Sequence, residues 1–244
     1  MALEARRRAI QPLLDRRHPA DAMAVYYAFF HDANKTQILT WPPMPHNTAE
    51  GFITISRTGI DLFRPFMTMR LPLSDLEASA ELLQMALPVG AEAFMSVPLS
   101  YEPLIRAFCD VLSEERLHLY QLTQMPEPEV NVLVTRADLD GLPRFVVKQV
   151  REGRRITAAS ANLNWLTTTY AEIAVNTRSE YRQKGYGRAV VRALAAHLRK
   201  HGRVPLYAVN PQNTPSVNLA RGLGFTLVSD EEVMLEVRRR PPLR

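Results

Sequence analysis

Residues 172–187 constrain the fold of this chain more than any other segment, because they combine the patterns of a strand, a tight loop and a helix. Apolar residues alternate from Ile173 to Thr177, as in a half-buried strand. A polar loop follows, and Gly185 and Gly187 then open an amphipathic helix. The apolar face of that helix consists of Val190, Val191, Leu194, Ala195 and Leu198.

The start of this helix has the properties of an anion-binding site. The first N–H groups of a helix have no partner inside it, and the helix dipole favours negative charge there. Glycines let a ligand approach the backbone, and Arg182, Lys184 and Arg188 add positive charge. These features favour a phosphate or pyrophosphate ligand. The alternative is an ordinary helix start, with glycines for packing and solvated arginines.

Two other glycine motifs that bind phosphates do not fit this loop. A P-loop requires Gly-Lys-Ser/Thr four residues after a glycine, and that tripeptide is missing from the sequence. The dinucleotide fingerprint requires a third glycine after Gly185 and Gly187 at a spacing that is not found.

The loop resembles the signature Arg/Gln-x-x-Gly-x-Gly/Ala of the GNAT superfamily of acyl-CoA-dependent N-acyltransferases. The matching residues are Arg182, Gln183, Lys184, Gly185, Tyr186 and Gly187. Asn213, Ser216, Leu219 and Leu223-Gly224-Phe225 fall where that superfamily has Asn-x-x-Ser/Ala-x-x-Leu followed by Leu-Gly-Phe. The resemblance covers about residues 130–238. It implies acetyl transfer from acetyl-CoA to an amine, carried by a small molecule or a protein.

The resemblance also implies where the coenzyme would bind. The pantetheine arm would follow the strand edge at Val175, Asn176 and Thr177. The pyrophosphate would lie on the backbone N–H groups of Arg182, Gln183, Lys184, Gly185, Tyr186, Gly187 and Arg188. Asn213 would contact the pantetheine, with Ser216 nearby, although Asn213 between Pro211 and Pro215 also suits a helix cap.

Amine attack on a thioester needs a base, an oxyanion donor and a proton for the leaving thiolate. Glu172 is the carboxylate of the central strand and is the candidate base; its alternative role is a rim charge or an arginine partner. The resemblance implies a backbone donor on this strand, and Val175 is the candidate. Many GNAT enzymes have a tyrosine where this chain has Ala220, so Tyr207 is the candidate acid, acting through water.

The substitution at Ala220 leaves open a second function, a protein that binds acyl-CoA without turning it over. Nucleic-acid binding is a third alternative because the chain has a net charge of +5. Residues 151–244 contain 16 Lys/Arg and 7 Asp/Glu, whereas residues 1–150 contain 14 and 18. The basic half is the half with the anion loop, so a polyphosphate ligand explains the asymmetry without nucleic acid.

Composition places the chain among cytoplasmic globular proteins. The 244 residues contain one cysteine, Cys109, which excludes an intrachain disulfide and favours a reducing compartment. Cys109 lies in an apolar pattern typical of core packing. No apolar run reaches membrane-spanning length. His197 and His201 are four residues apart on a helix but have no third ligand nearby, so no metal is expected.

The element pattern predicts an α/β fold with a mixed sheet, divided at the proline-rich residues 125–129 into residues 1–125 and 126–244. The second half alone is short for a GNAT domain. The first half is therefore expected to complete it, as a degenerate tandem copy of the same fold. Predicted elements include helices over 3–17, 74–87 and 101–112, strands over 22–30 and 52–56, hairpin turns at 140–141 and 152–153, and a closing hairpin over 226–237. Ser74, with Glu77 three residues later, is the predicted cap of the second helix.

Overall fold

The computed structural model describes residues 2–59, 61–124 and 132–241, which form a mixed α/β structure. The helices are α1 (Ala2–Ile10), α2 (Ala22–Val25), α3 (Leu76–Ala86), α4 (Glu102–Phe108), α5 (Tyr186–Lys200) and α6 (Thr214–Gly222). The strands are β1 (Thr36–Trp41), β2 (Gly51–Ser56), β3 (Phe66–Arg70), β4 (Glu92–Pro98), β5 (Cys109–Leu122), β6 (Thr135–Leu139), β7 (Leu142–Arg151), β8 (Arg154–Leu166), β9 (Tyr170–Thr177), β10 (Val204–Val209) and β11 (Phe225–Arg239).

The chain divides into two compact units. Unit 1 contains the residues up to Leu117 and those from Asp230 onward, and unit 2 contains His118–Ser229. The long strands β5 and β11 therefore contribute residues to both units. The predicted boundary at residues 125–129 lies outside the described residues, so the division into residues 1–125 and 126–244 stays a prediction.

Unit 1 is a mixed sheet between two layers of helix. Its strand order is β1-β2-β3-β4-β11, and β3 and β4 are its parallel pair. On one face Ile10 of α1 joins a core with Ile38 and Phe52. On the other face Leu82 of α3 packs in a separate core with Ile53. Successive strand residues alternate between these two cores, as the pleat of a sheet requires.

Unit 2 is also a mixed sheet, with the order β5-β10-β9-β8-β7-β6 and a parallel pair, β9 and β10. Helix α5 buries Val190 and Leu194 in a core with Ala161 and Ile173. The predicted hairpin turns are confirmed. Asp140-Gly141 joins β6 to β7 and Glu152-Gly153 joins β7 to β8, and all four residues have positive φ angles, as turns of type I′ require.

The two units repeat one arrangement, a strand, a helix and a parallel strand. In unit 1, α3 connects β3 to β4; in unit 2, α5 connects β9 to β10. Each parallel ladder contains three residue pairs. The last pairs are Thr68–Ser96 and Glu172–Leu206. The predicted α/β class is confirmed, and the repeated unit has the form expected of two tandem halves.

The predicted strand over residues 22–30 is wrong, because this segment forms α2 and then a π-helical turn, Tyr26–Phe30. Its residues are apolar almost throughout, so the sequence pattern did not distinguish a strand from a buried helix. Ala24, Val25 and Ala28 are all buried on the side of α1. Small side chains at this spacing suit a helix packed against another helix.

Other errors concern where elements end. The helix predicted over residues 3–17 gives way at Ile10 to a 3₁₀ turn that contains Pro12, which lacks an N–H donor. The helix predicted over 101–112 stops at Phe108, where β5 begins. The closing hairpin over 226–237 is instead the continuous strand β11, in which Glu232 accepts a 2.5 Å hydrogen bond from Ser96. Tertiary contacts therefore override the polar, turn-like sequence there.

The cap of α3 also differs from the prediction. Ser74 was the expected cap, but the side chain of Asp75 accepts a 2.9 Å hydrogen bond from the N–H of Ala78. A carboxylate at this position satisfies an otherwise unpaired donor and interacts favourably with the helix dipole.

We expect Asp75→Ala to lower the free energy of unfolding by about 1 kcal/mol through loss of this cap. Ser74→Ala is the matched control, because Ser74 is exposed. Urea denaturation of both variants measures the difference. A larger loss for Ser74→Ala than for Asp75→Ala would show that the cap is assigned to the wrong residue.

Candidate active site

A gap opens beside the central strand of unit 2. Strands β9 and β10 pair in parallel only as far as Glu172 and Leu206. Beyond that point β9 continues to Thr177, while β10 continues to Val209 along β5. The last five residues of β9, 173–177, therefore have β8 as a neighbour on one side and no ladder with β10 on the other.

The backbone of β9 has N–H groups available at this gap. Arg178, directly after the strand, donates its N–H to the carbonyl of Ala158 on the β8 side. Along an antiparallel ladder, successive N–H groups alternate between the two sides of a strand. The N–H of Val175, three residues before Arg178, is therefore directed towards the side of β10, where the ladder has ended.

The loop before α5 presents a second set of available N–H groups. The amides of Gln183, Lys184, Gly185, Tyr186 and Gly187 have no acceptor within residues 132–241 or the other described segments. The amide of Arg182 differs, because it donates to the carbonyl of Ser179 at 3.2 Å. Gln183 and Gly185 have φ angles of 60° and 74°, so left-handed residues alternate with the residues between and after them. Such an alternation makes a backbone concavity suited to anions, called a nest.

The two glycines of the loop are needed for different reasons. Gly185 caps α5 in the left-handed conformation, and a side chain there would meet open space but a strained backbone. Gly187 has ordinary helical geometry, but a Cβ atom there would lie 2.9 Å from Oγ1 of Thr177. Gly187 therefore allows the start of α5 to lie directly against the end of β9.

Aromatic contacts hold this loop in place. The rings of Tyr181 and Tyr186 are stacked, with centroids 6.2 Å apart, and the hydroxyl of Tyr186 accepts a 3.0 Å hydrogen bond from Gln149. The ammonium group of Lys184 lies 5.1 Å from the centre of the Tyr181 ring. The loop that carries the five amides is thus anchored before any ligand binds.

The candidate base and the candidate acid lie on opposite faces of the sheet. Ile173 and Val175 belong to the core beneath α5, and Tyr207 belongs to the same core. Because side chains alternate along a strand, Glu172 lies on the face away from α5. The gap between β9 and β10 begins directly after the pair Glu172–Leu206, next to both residues.

Glu172 is held by a neighbour that the sequence did not identify as part of the site. It is 5% exposed, and Oε1 accepts a 2.7 Å hydrogen bond from the side-chain amide of Asn164. The register of β8 against β9 shifts between Leu163 and Trp165, so Asn164 is the extra residue of a β-bulge. A bulge cannot be read from an isolated strand pattern, so the contact of Asn164 with Glu172 could not be predicted from the sequence.

Tyr207 remains protonated at neutral pH. It is buried beside Phe225, and burial raises the pKa of its phenol, while a hydrogen bond from Ser216 acts in the opposite direction. Tyr207 and Ser216, predicted separately from the sequence, are therefore in contact. A protonated phenol suits the role of a general acid.

The remaining motif residues have structural roles. Asn213 caps α6, because its Oδ1 accepts a 3.3 Å hydrogen bond from the N–H of Ser216. Its side-chain NH₂ group is not used by that bond. Ala220 is buried in the core and supplies no hydroxyl group. The position where many family members have tyrosine thus serves packing in this chain.

The histidine pair of α5 has a local contact. The rings of His197 and His201 are 4.2 Å apart, and Nδ1 of His201 lies 2.7 Å from the carbonyl of His197.

Within residues 2–59, 61–124 and 132–241, no helix combines the length and apolar character needed to cross a bilayer.

Comparisons with known proteins agree with this geometry. Residues 145–234 match the model of the family described as FR47-like protein. A GCN5-related N-acetyltransferase from Sphaerobacter thermophilus is 12% identical, with a TM-score of 0.56 over 99% of this chain and 93% of that one. A GNAT-family acetyltransferase from Colwellia psychrerythraea is 15% identical, with a TM-score of 0.54 over 98% and 94%.

A tandem GNAT protein from the clavulanic acid biosynthesis pathway matches the full length of this chain. Its TM-score is 0.57 at 10% identity, over 100% of this chain and 95% of that one. The fold and the open strand edge define a GNAT-type architecture. The fold is that of GNAT acetyltransferases, including a tandem member, and the family-model match lies within residues 130–238, where the glycine motif predicted the resemblance.

We expect Gly187→Ala to lower the free energy of unfolding by roughly 1–3 kcal/mol, because the new methyl group would overlap Thr177 Oγ1. Thr177→Ala removes that oxygen, so the loss in the double variant should be smaller than the sum of the two single losses. Gly185→Ala is the control, because its backbone strain does not involve Thr177. A double-mutant cycle by chemical denaturation tests this; additive losses at 187 and 177 would contradict the proposed close contact.

Proposed function

We propose that this protein transfers an acetyl group from acetyl-CoA to the amine of an acceptor. The observation that carries the proposal is the pair of available backbone surfaces, the five loop amides from Gln183 to Gly187 and the edge of β9 beside its gap. A diphosphate suits the first surface, since it needs several N–H donors and positive charge. An extended amide-containing arm suits the second.

The chain's own residues fit the proposed donor. Gly187 lets the start of α5 approach the end of β9, so the two surfaces are continuous. Lys184 and Arg188 add positive charge around the loop. The side-chain NH₂ group of Asn213 can donate to a carbonyl of the arm while Oδ1 caps α6. Arg182 would contribute its side chain, since its amide is already used.

The proposed reaction uses three groups around the gap. Glu172, held by Asn164, accepts a proton from the acceptor's ammonium group, directly or through water. The amine nitrogen then attacks the thioester carbonyl carbon, and the N–H of Val175 donates to the developing oxyanion. The carbon–sulfur bond breaks as the amide forms, and the thiolate receives a proton that Tyr207 supplies through water. The second proton that the nitrogen loses on becoming an amide passes through water to restore the Tyr207 phenol.

Donor binding is the first test. Calorimetric titration with CoA should give one site per chain, because α3 in unit 1 is capped by the carboxylate of Asp75 whereas α5 has an open start. Gly185→Asp should weaken binding more than Gly185→Ala, since both strain the backbone but only aspartate brings negative charge to the nest. Equal effects of the two changes, or absence of CoA binding, would contradict the proposed donor site.

Catalysis is the second test, measured by release of free thiol with a panel of amines. Glu172→Gln should lower kcat/KM roughly 10²–10⁴-fold, because glutamine cannot accept the proton. Glu180→Gln, a change in an exposed carboxylate of the following loop, is the matched control. Binding of acetyl-CoA without thiol release across the panel would instead support the non-catalytic alternative suggested by Ala220.

The proposed acid makes a separate prediction about pH. Because the pKa of Tyr207 is raised, its phenol stays protonated from the acidic range through pH 9 and loses its proton only above its ordinary value near 10. The contribution of Tyr207 should therefore be constant below pH 9. Tyr207→Phe should lower kcat by a constant factor over that range. A factor that changes between pH 6 and 8 would contradict this role.

A further inference from the structure

A polar cavity lies on the face of the unit 2 sheet that carries Glu172. Its volume is about 200 Å³, and its polar lining consists of Arg144, Thr157, Ser160, Asn176 and Arg178. Of these residues, only Asn176 has a role predicted from the sequence. The other four are separated along the chain and come together only through the pairing of β7, β8 and β9.

The strand registers place this cavity on the face away from α5. Phe145 and Val147 of β7 pack into the core beneath α5, so Arg144 lies on the other face. On β8, Ala159 and Ala161 also belong to that core, so Ser160 between them faces the cavity side. Ser160 is directly opposite Asn176 of β9, on the face that also carries Glu172.

The cavity has a positively charged lining and a buried donor that no described protein group satisfies. Nε of Arg144 is buried and has no hydrogen-bond partner within the described residues. Glu180, whose carboxylate lies 3.6 Å from Arg151, interacts electrostatically with Arg178 but does not satisfy this Nε. In the described part of the chain, neither Arg144 nor Arg178 forms a salt bridge. Buried donors are almost always satisfied in folded proteins, so this arrangement indicates an external acceptor.

We infer that this cavity binds a carboxylate group of the acceptor. The inference rests on the proposed function, since it deepens the acceptor side of the same site. Two guanidinium groups, two hydroxyls and an amide match the oxygens of such a group, and arginine forks bind carboxylate and phosphate with two parallel hydrogen bonds. Tyr207, the candidate acid, and Ser216, a candidate neighbour of the acetyl-CoA pantetheine, lie towards the opposite face.

The position of the cavity also defines the length of the acceptor. Asn176 is four residues beyond Glu172 on the same strand face, a separation of about 13 Å. An acceptor whose amine lies at Glu172 would place its anionic group in the cavity when the two groups are separated by about this distance. A simple alkylamine would lack the second contact.

The experiment follows the Nε–H signals of Arg144 and Arg178 by NMR in the full-length chain, with each signal assigned by its loss in Arg→Lys variants. The probes are ω-aminoalkanoates of increasing length, alkylamines of matched length, CoA and dephospho-CoA. We expect an aminoalkanoate to shift both signals and the matched alkylamine to leave them unchanged. Arg144→Gln should raise the aminoalkanoate dissociation constant about tenfold.

The matched control is Arg155→Gln, which removes the same charge from an exposed position of β8 outside the cavity lining. It should leave the aminoalkanoate affinity unchanged. A loss of affinity in this variant equal to that in Arg144→Gln would show that net charge alone attracts the probe, and the inference would be wrong. Chemical denaturation of Arg144→Gln checks that the variant is folded.

Two further outcomes would overturn the inference. Shifts caused by CoA but not by dephospho-CoA, and lost in Arg144→Gln, would identify the cavity as a phosphate subsite of the donor. No shift with any aminoalkanoate would mean that the cavity binds no acceptor carboxylate. In either case CoA binding to the loop amides can still be detected in the same titration, so failure of this inference is distinguishable from failure of the proposed function.

Discussion

The structure of unit 2 depends on a ladder that ends early. Two parallel strands share only three residue pairs, after which β10 follows β5 and β9 keeps a neighbour on one side. Backbone N–H and C=O groups that leave a ladder need other partners. The start of α5, held close to β9 by the absence of a side chain at Gly187, adds a further set of unpaired amides at the end of the same edge. Glu172, Val175 and Tyr207 lie on the two strands that border this opening.

The two units repeat one strand–helix–strand arrangement but differ in how the start of the helix is capped. In unit 1 the helix between the parallel strands follows Asp75, whose carboxylate accepts a hydrogen bond from the N–H of Ala78. In unit 2 the equivalent helix follows Gly185, which has no side chain to cap it. The start of the unit 1 helix therefore carries a negative charge that the start of the unit 2 helix lacks. That charge disfavours an anionic ligand, so unit 1 has the architecture of the repeat without its anion site.

The sequence predicted those features that depend on local chemistry. The strand–loop–helix around Gly185, the I′ turns and the family motif follow from patterns within a few residues, and the structure contains them all. It did not predict features created by pairing. The helical state of residues 22–30 depends on burial against α1, and the straight course of β11 depends on the contact of Glu232 with Ser96. The contact of Asn164 with Glu172 requires a bulge, and Arg144 reaches its cavity only through the registers of three strands.

The placement of Glu172 and Tyr207 on opposite faces has a consequence for the order of events. In the proposed reaction, the acetyl donor and the acceptor reach the gap from opposite faces of the sheet and do not compete for space. Both can therefore be present in a ternary complex, whichever binds first. Direct transfer then needs no acylated side chain on the protein. The single thiol of the chain, Cys109, is consistent with this, because it lies in the core of unit 1 and burial raises its pKa, which keeps it un-ionised and a poor nucleophile.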